Sequence, residues 1–177
     1  MANERAQPDV RDSSESAVIE VAIGPGAMPG TFRVDVVRSL AGEASAIVTL
    51  DADALLSRRS DLQTAVLASA ALTRGMHESE RPVREIGQAL FTALLGTGDV
   101  AGTYRASAAI AARDEQALRV VLRIADPALA ALPWEAMYDE TAGAYVCRHE
   151  QLVRQVPVPA VPAPLAVRPP LRLAPIC

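Results

Sequence analysis

Apolar and polar residues follow two different periods along this chain, and the switches between them divide it into blocks. Ile19, Val21 and Ile23 carry large apolar groups at every second position, the period of a half-buried strand. Gly24-Pro25-Gly26 and Pro29-Gly30 then mark a turn. Phe32, Val34 and Val36 alternate with Arg33 and Asp35, Gly42 allows a further turn, and Ala46, Val48 and Leu50 mark a third strand. Three short strands with tight turns predict an antiparallel meander.

The period then becomes helical. Asp51 and Asp61 can each cap a helix, because a carboxylate there accepts free backbone N–H groups. Leu62, Val66, Leu67 and Ala70 recur at helical spacing. After Pro82, Val83, Ile86, Leu90, Phe91 and Leu94 form one apolar stripe that Gly96 can end. Asp99 can cap another helix running through Tyr104 and Ile110 to about Arg113. Period two returns at Leu118, Val120, Leu122 and Ile124, with Arg119 and Arg123 facing away. Pro127 to Ala131 fits a single helical turn. Ala144-Tyr145-Val146 and Leu152-Val153 read as two short strands after a turn at Gly143. The fold class this predicts is α+β, with an antiparallel sheet drawn from both ends of residues 17–155 packed on a central helical block.

The flanks differ in composition. Residues 1–16 are polar and carry both charge signs, which predicts a loose tail. Six of the thirteen prolines fall between Pro157 and Pro170, so residues 156–170 read as a semi-rigid spacer. Residues 171–177, Leu-Arg-Leu-Ala-Pro-Ile-Cys, look like the opening of another strand, and the expectation is a chain cut where the next domain begins.

Composition and charge narrow the function. Aromatic residues make up 3% of the chain and the net charge is −4. Neither suits a protein that stacks bases or neutralises phosphates. All 17 basic residues are arginine, scattered rather than clustered. No apolar stretch is long enough to cross a bilayer. The N-terminus lacks the basic start and apolar middle of a secretion signal. The expected location is the cytoplasm, where Cys147 and Cys177 stay thiols. The expected partners are proteins, with no nucleic acid and no membrane.

Candidate chemistry is sparse. His77 lies in the polar run Arg74-Gly75-Met76-His77-Glu78-Ser79-Glu80 and reads as a solvated loop histidine. Cys147 and His149 are two apart, so on a strand they share a face, and a nucleophile with its base is conceivable. The simpler reading makes Cys147 a small buried apolar residue. Glu78, Glu80 and Glu85 read as a solvated helix start, favoured by the helix dipole. Two thiols and two distant histidines do not supply a zinc site. No phosphate loop or dinucleotide fingerprint occurs. No catalytic, cofactor-binding or metal-binding residue is therefore assigned. Leu132-Pro133-Trp134-Glu135 holds the only Trp and reads as a core anchor, with Glu135 bonded to backbone or an arginine. It could also serve as a docking surface for a neighbouring domain.

These residues carry a resemblance. Phe32 to Ser39 with Ala41-Gly42-Glu43-Ala44 resembles the first strands of actinobacterial CHAT-domain proteins, and Gly87-Gln88-Ala89-Leu90-Phe91 the helix that follows in them. Leu118 to Ile124, Leu129 to Glu135 and Tyr138-Asp139 are similar to the segment just upstream of the CHAT peptidase core. Leu152-Val153-Arg154, the spacer and Pro170-Leu171-Arg172-Leu173 continue the likeness. The resemblance implies a caspase-like α/β core with a His/Cys dyad beyond the spacer, and the dyad has no counterpart in this sequence. Cys177 would lie in the first core strand and is not the nucleophile. The expected function is thus a non-catalytic accessory or regulatory domain of a caspase-like protein, not itself an enzyme. The alternatives are a stand-alone protein-interaction module and a small hydrolase using Cys147 and His149.

Overall fold

Each period-two segment forms a strand. In the computed structural model, which describes residues 17–58, 60 and 76–155, β1 spans Val18–Pro25, β2 Thr31–Arg38 and β3 Ala44–Thr49. Helix α1 follows at Ala52–Ser57, α2 at Met76–Phe91 and α3 at Gly98–Arg113. Then come β4 at Arg119–Ile124, a short α4 at Pro127–Ala130, the hairpin strands β5 (Tyr138–Asp139) and β6 (Ala144–Tyr145), and β7 at Gln151–Gln155. The tail 1–16, Asp61 with the expected helix around Leu62 to Ala70, the spacer 156–170 and residues 171–177 lie outside the described residues.

The sheet has five strands in the order β3-β2-β1-β4-β7. The meander is antiparallel, as expected. The rest is not: β4 pairs with β1 in parallel, and β7 pairs with β4 in parallel. The expected antiparallel sheet is therefore corrected to a mixed one. A period of two fixes which face a residue joins but not the direction in which a strand runs. Direction is set by the connections, and the helical block between β3 and β4 is long enough to return the chain as a crossover.

One face of the sheet is covered. Ile19, Val21 and Ile23 of β1, Val34 and Val36 of β2, and Val120, Leu122 and Ile124 of β4 are all buried. They share one core with Ile86 and Leu90 of α2, Leu94 and Leu95 beyond it, and Val100 and Tyr104 of α3. The opposite face carries Arg33, Asp35, Val37, Ser45, Ile47, Val153 and Gln155 at half-buried or exposed positions. There Arg123 reaches Glu20 at 2.8 Å, and Arg33 reaches Asp35 at 2.9 Å. The hydroxyl of Ser45 donates to Asp35, which together with Arg33 holds that carboxyl below its ordinary value.

The helix ends depart from expectation in three places. Asp51 caps α1 as expected, accepting from the Ala54 N–H at 2.9 Å. Helix α2, however, starts at Met76 and keeps Pro82 inside it, although proline removes one helical hydrogen bond. Side-chain anchors on both sides of the proline hold this stretch: Glu80 accepts from Tyr145, and Arg81 pairs with Glu85. The helical path continues through a π turn at Thr92–Gly96, which buries both Leu94 and Leu95; an α-helix would rotate one of two consecutive residues away from a single facing surface. Asp99 is not the cap of α3. Thr97 holds that position without a side-chain bond, and Asp99 lies in the first turn.

Gly87 sets how closely the second half of the chain docks on α2. A Cβ at this position would lie 1.8 Å from the carbonyl oxygen of Ala136. Backbone thus lies on backbone where a side chain has no room. Gly87→Ala should lower stability by about 2 kcal/mol or more, in the range or above that of ordinary overpacking, because the obstacle is main chain and not a movable side chain. Urea denaturation of the two proteins checks this.

Candidate functional site

The Trp134 turn and the β5–β6 hairpin form the one place where several of the singled-out residues come together. Asp126 caps α4 by accepting from the Ala128 and Leu129 N–H groups at 2.8 and 3.0 Å. That turn aims the Leu129 carbonyl inward, where the Trp134 indole N–H donates to it at 2.8 Å. Trp134 is 1% exposed. It fills the space between Leu129, Leu94 and the inner face of β1 and β2. Glu135 points the other way and pairs with Arg154 of β7 at 2.7 Å, while Arg154 also donates to the Ala130 carbonyl. Trp134 is thus a core anchor and Glu135 is arginine-bonded, as the sequence implied.

The hairpin is tied to α2 by a polar and aromatic cluster. Tyr138 and Tyr145 meet edge to face with ring centroids 5.1 Å apart. The Arg84 guanidinium lies over the Tyr138 ring at 5.1 Å, within cation–π range. The Tyr145 hydroxyl donates to Glu80 at 2.9 Å, and Gln88 donates to Glu140 at 2.5 Å. Burial, followed by the bond to Glu80, pushes the Tyr145 hydroxyl up to about 12. Burial also raises Tyr104, which packs edge to face on Phe91.

The acidic residues are placed differently from expectation. Glu80 and Glu85 are not merely a solvated helix start. Glu80 serves Tyr145 and Arg84, and Glu85 accepts from Arg58 and Arg81, both at 2.9 Å. Those two arginines, Arg58 first, hold the Glu85 carboxyl below its ordinary value. The sequence offered little sign of this, since Arg58 is 27 positions away. His77 belongs to helix α2 rather than to a loop, and Glu78 lies in the first turn of that helix, as expected.

Cys147 and His149 do not share a strand. Strand β6 ends at Tyr145, and Val146–Arg148 make a 3₁₀ turn instead of continuing it. Without strand geometry, the alternation that would place both side chains on one face is lost. Cys147 is exposed, not buried, and His149 is exposed too. No hydrogen bond joins them. Nearby, Glu150 is raised by burial. Ser107, at 0% exposure and with an unpartnered hydroxyl, is sealed inside the core where no substrate reaches it.

A groove of about 580 Å³ runs between α1 and α2, lined by Leu50, Leu55, Glu85, Gln88 and Ala89 among others. Among its polar members, Glu85 is engaged with arginines, Gln88 with Glu140 and Asp51 with the Ala54 N–H. Among the described residues, no group of three or more His, Cys, Asp and Glu side chains is placed to hold a metal. No helix among them is long and apolar enough to cross a membrane.

Two outcomes follow from this geometry. Tyr145 keeps its proton in the folded state up to about pH 12 and loses it near pH 10 when unfolded. Its contribution is therefore complete below about pH 10 and lost as pH rises through about 12. Stability measured by denaturation across that window should fall less steeply in Tyr145→Phe, with Tyr104 supplying the remainder. Cys147→Ser should change stability by no more than about 0.5 kcal/mol, as for an exposed side chain, and the native wild type should react promptly with a thiol reagent. Compared with known proteins, the chain matches no family model, no curated protein and no solved structure.

Proposed function

We propose that this chain is a non-catalytic accessory domain that docks on a protein partner, and that the partner is a caspase-like peptidase domain of the CHAT type. The observation that supports it is the one-sided burial of the sheet. Strands β1, β4 and β7 run parallel, and parallel strands usually carry cover on both faces. Among the described residues the helices occupy only one. On the other face Val121 pairs across to Val153, with Glu20 of β1 on its other side and Val153 42% exposed. Arg119 and Arg123 flank this strip, one hydrogen-bonded to Gln151 and the other to Glu20. Apolar residues rimmed by arginine suit a protein partner.

Two further points agree with the CHAT reading. Within the segment 129–135 that shares in the resemblance, Trp134 is buried and bonded to the Leu129 carbonyl. Cys147 and His149 lack the geometry of a nucleophile and its base. In this reading the domain supports or regulates the peptidase site and performs no chemistry.

The test begins with the genomic DNA beyond the Cys177 codon. The reading expects a frame that continues into a domain with a histidine and a cysteine at caspase-like positions. The joined protein is then compared with its Val153→Glu variant. The substitution should leave the accessory domain folded, because the side chain is exposed, and should lower peptidase activity or interdomain protection from hydrogen exchange about tenfold, the weight of one charge desolvated in an interface. A genuine stop with no such domain nearby defeats the peptidase reading and leaves a stand-alone interaction module.

A further inference from the structure

Strand β3 ends the sheet, and no described element pairs with its outer edge. An edge strand presents a row of free N–H and C=O groups, and proteins usually blunt it with charge, proline or a bulge. The two edges of this sheet differ in that respect. Strand β7 carries the charged Arg154 and starts and ends on a glutamine, and Pro157 comes two residues after its end. Strand β3, Ala44-Ser45-Ala46-Ile47-Val48-Thr49, carries no charge and no proline. The sheet's irregularity lies between β1 and β2, not on β3. Ile47 is 63% exposed on the open face. Met28, Val37 and Leu40, three of the other four exposed large apolar side chains among the described residues, belong to the same meander.

We propose that β3 is a pairing edge for a second copy of this chain, joined antiparallel across a two-fold axis so that two five-stranded sheets become one. A neutral strand can meet itself without opposing like charges, and an antiparallel pair is self-complementary under two-fold symmetry. Charge at the strand ends selects the register. Glu43 precedes β3 and Asp51 follows it. A pairing centred on Ile47 would set Glu43 against Asp51 of the second copy, which is unfavourable. A pairing centred on Ala46 sets Glu43 against Thr49 of the second copy instead. It also sets Ser45 against Ile47 and Ala44 against Val48, each pair on one face of the sheet. Asp51 stays free to cap α1 in both copies. The β3 edge is separate from the Val121–Val153 strip, so this pairing stands whether or not a peptidase partner exists.

The test is the mass of the full chain in solution, by light scattering and sedimentation over a wide concentration range. The wild type is expected to be a dimer. Ile47→Lys and Ile47→Glu should each weaken it about tenfold or more, because the charge enters twice across the two-fold, while circular dichroism and melting stay unchanged. Mixing the two variants should restore the dimer by bringing Lys and Glu together as diagonal neighbours. A wild type that is monomeric at every concentration overturns the proposal. So does a dimer whose affinity is the same in Ile47→Lys, since its interface then lies elsewhere.

Discussion

Parallel pairing of Val18–Ile23 with Arg119–Ile124 joins the first described strand to the strand that follows the helical block, and the other described elements are arranged around that seam. The inward residues of these strands are all at most 4% exposed. The meander extends from one side of the seam and β7 from the other. Because β4 must run in the same direction as β1, the chain between them has to cross back over the sheet. The intervening helices therefore cover one face, and the core forms beneath them. Among the described residues, the far face receives only side chains that alternate outward from the strands. Its arginines pair with Glu20, Asp35 and Gln151, which keeps the charges satisfied but leaves the valines between them uncovered.

The second half of the chain is held to this frame by two kinds of contact. One is close approach: Gly87 lets the Ala136 backbone lie on α2, while Trp134 is buried in the core beside it in sequence. The other is polar: Glu80, Arg84, Gln88 and Glu135 each reach a partner on the hairpin or on β7. These side chains resemble site chemistry in the sequence, being carboxylates, tyrosines and an arginine in one region. Their geometry is that of a clamp. Each of these groups is engaged with a neighbour.

Among the described residues, one face and one edge of the sheet carry no covering element. Two surfaces offer themselves, and they differ in kind. The Val121–Val153 strip is a face, read by side-chain packing and suited to another domain. The β3 edge is a line of backbone groups, read by hydrogen bonding and suited to an identical strand. A larger assembly could use both at once, since one faces outward from the sheet and the other sideways.

Much of the local structure was legible in the residues. Alternation at 19–23, 32–36 and 118–124 marks the strands because an outward polar residue must follow each inward apolar one. Asp51 announces a helix start because only a few side chains can satisfy its free N–H groups. Trp134 had to be buried with a partner for its N–H. What the chain did not reveal depends on contacts between distant residues. Alternation is blind to strand direction, so the parallel seam needed the crossover. Pro82 reads as a helix start until Tyr145 and Arg81 are seen to hold the stretch around it. Cys147 and His149 look like a pair only if residues 146–149 extend as a strand, and the 3₁₀ turn that separates them is set by Val146 entering the core. The sequence by itself determined which strand positions face the core, the start of α1 at Asp51 and the burial of Trp134. Only the tertiary structure decided how the strands run, which charges meet and which face stays open, because those follow from packing between segments that no local pattern connects.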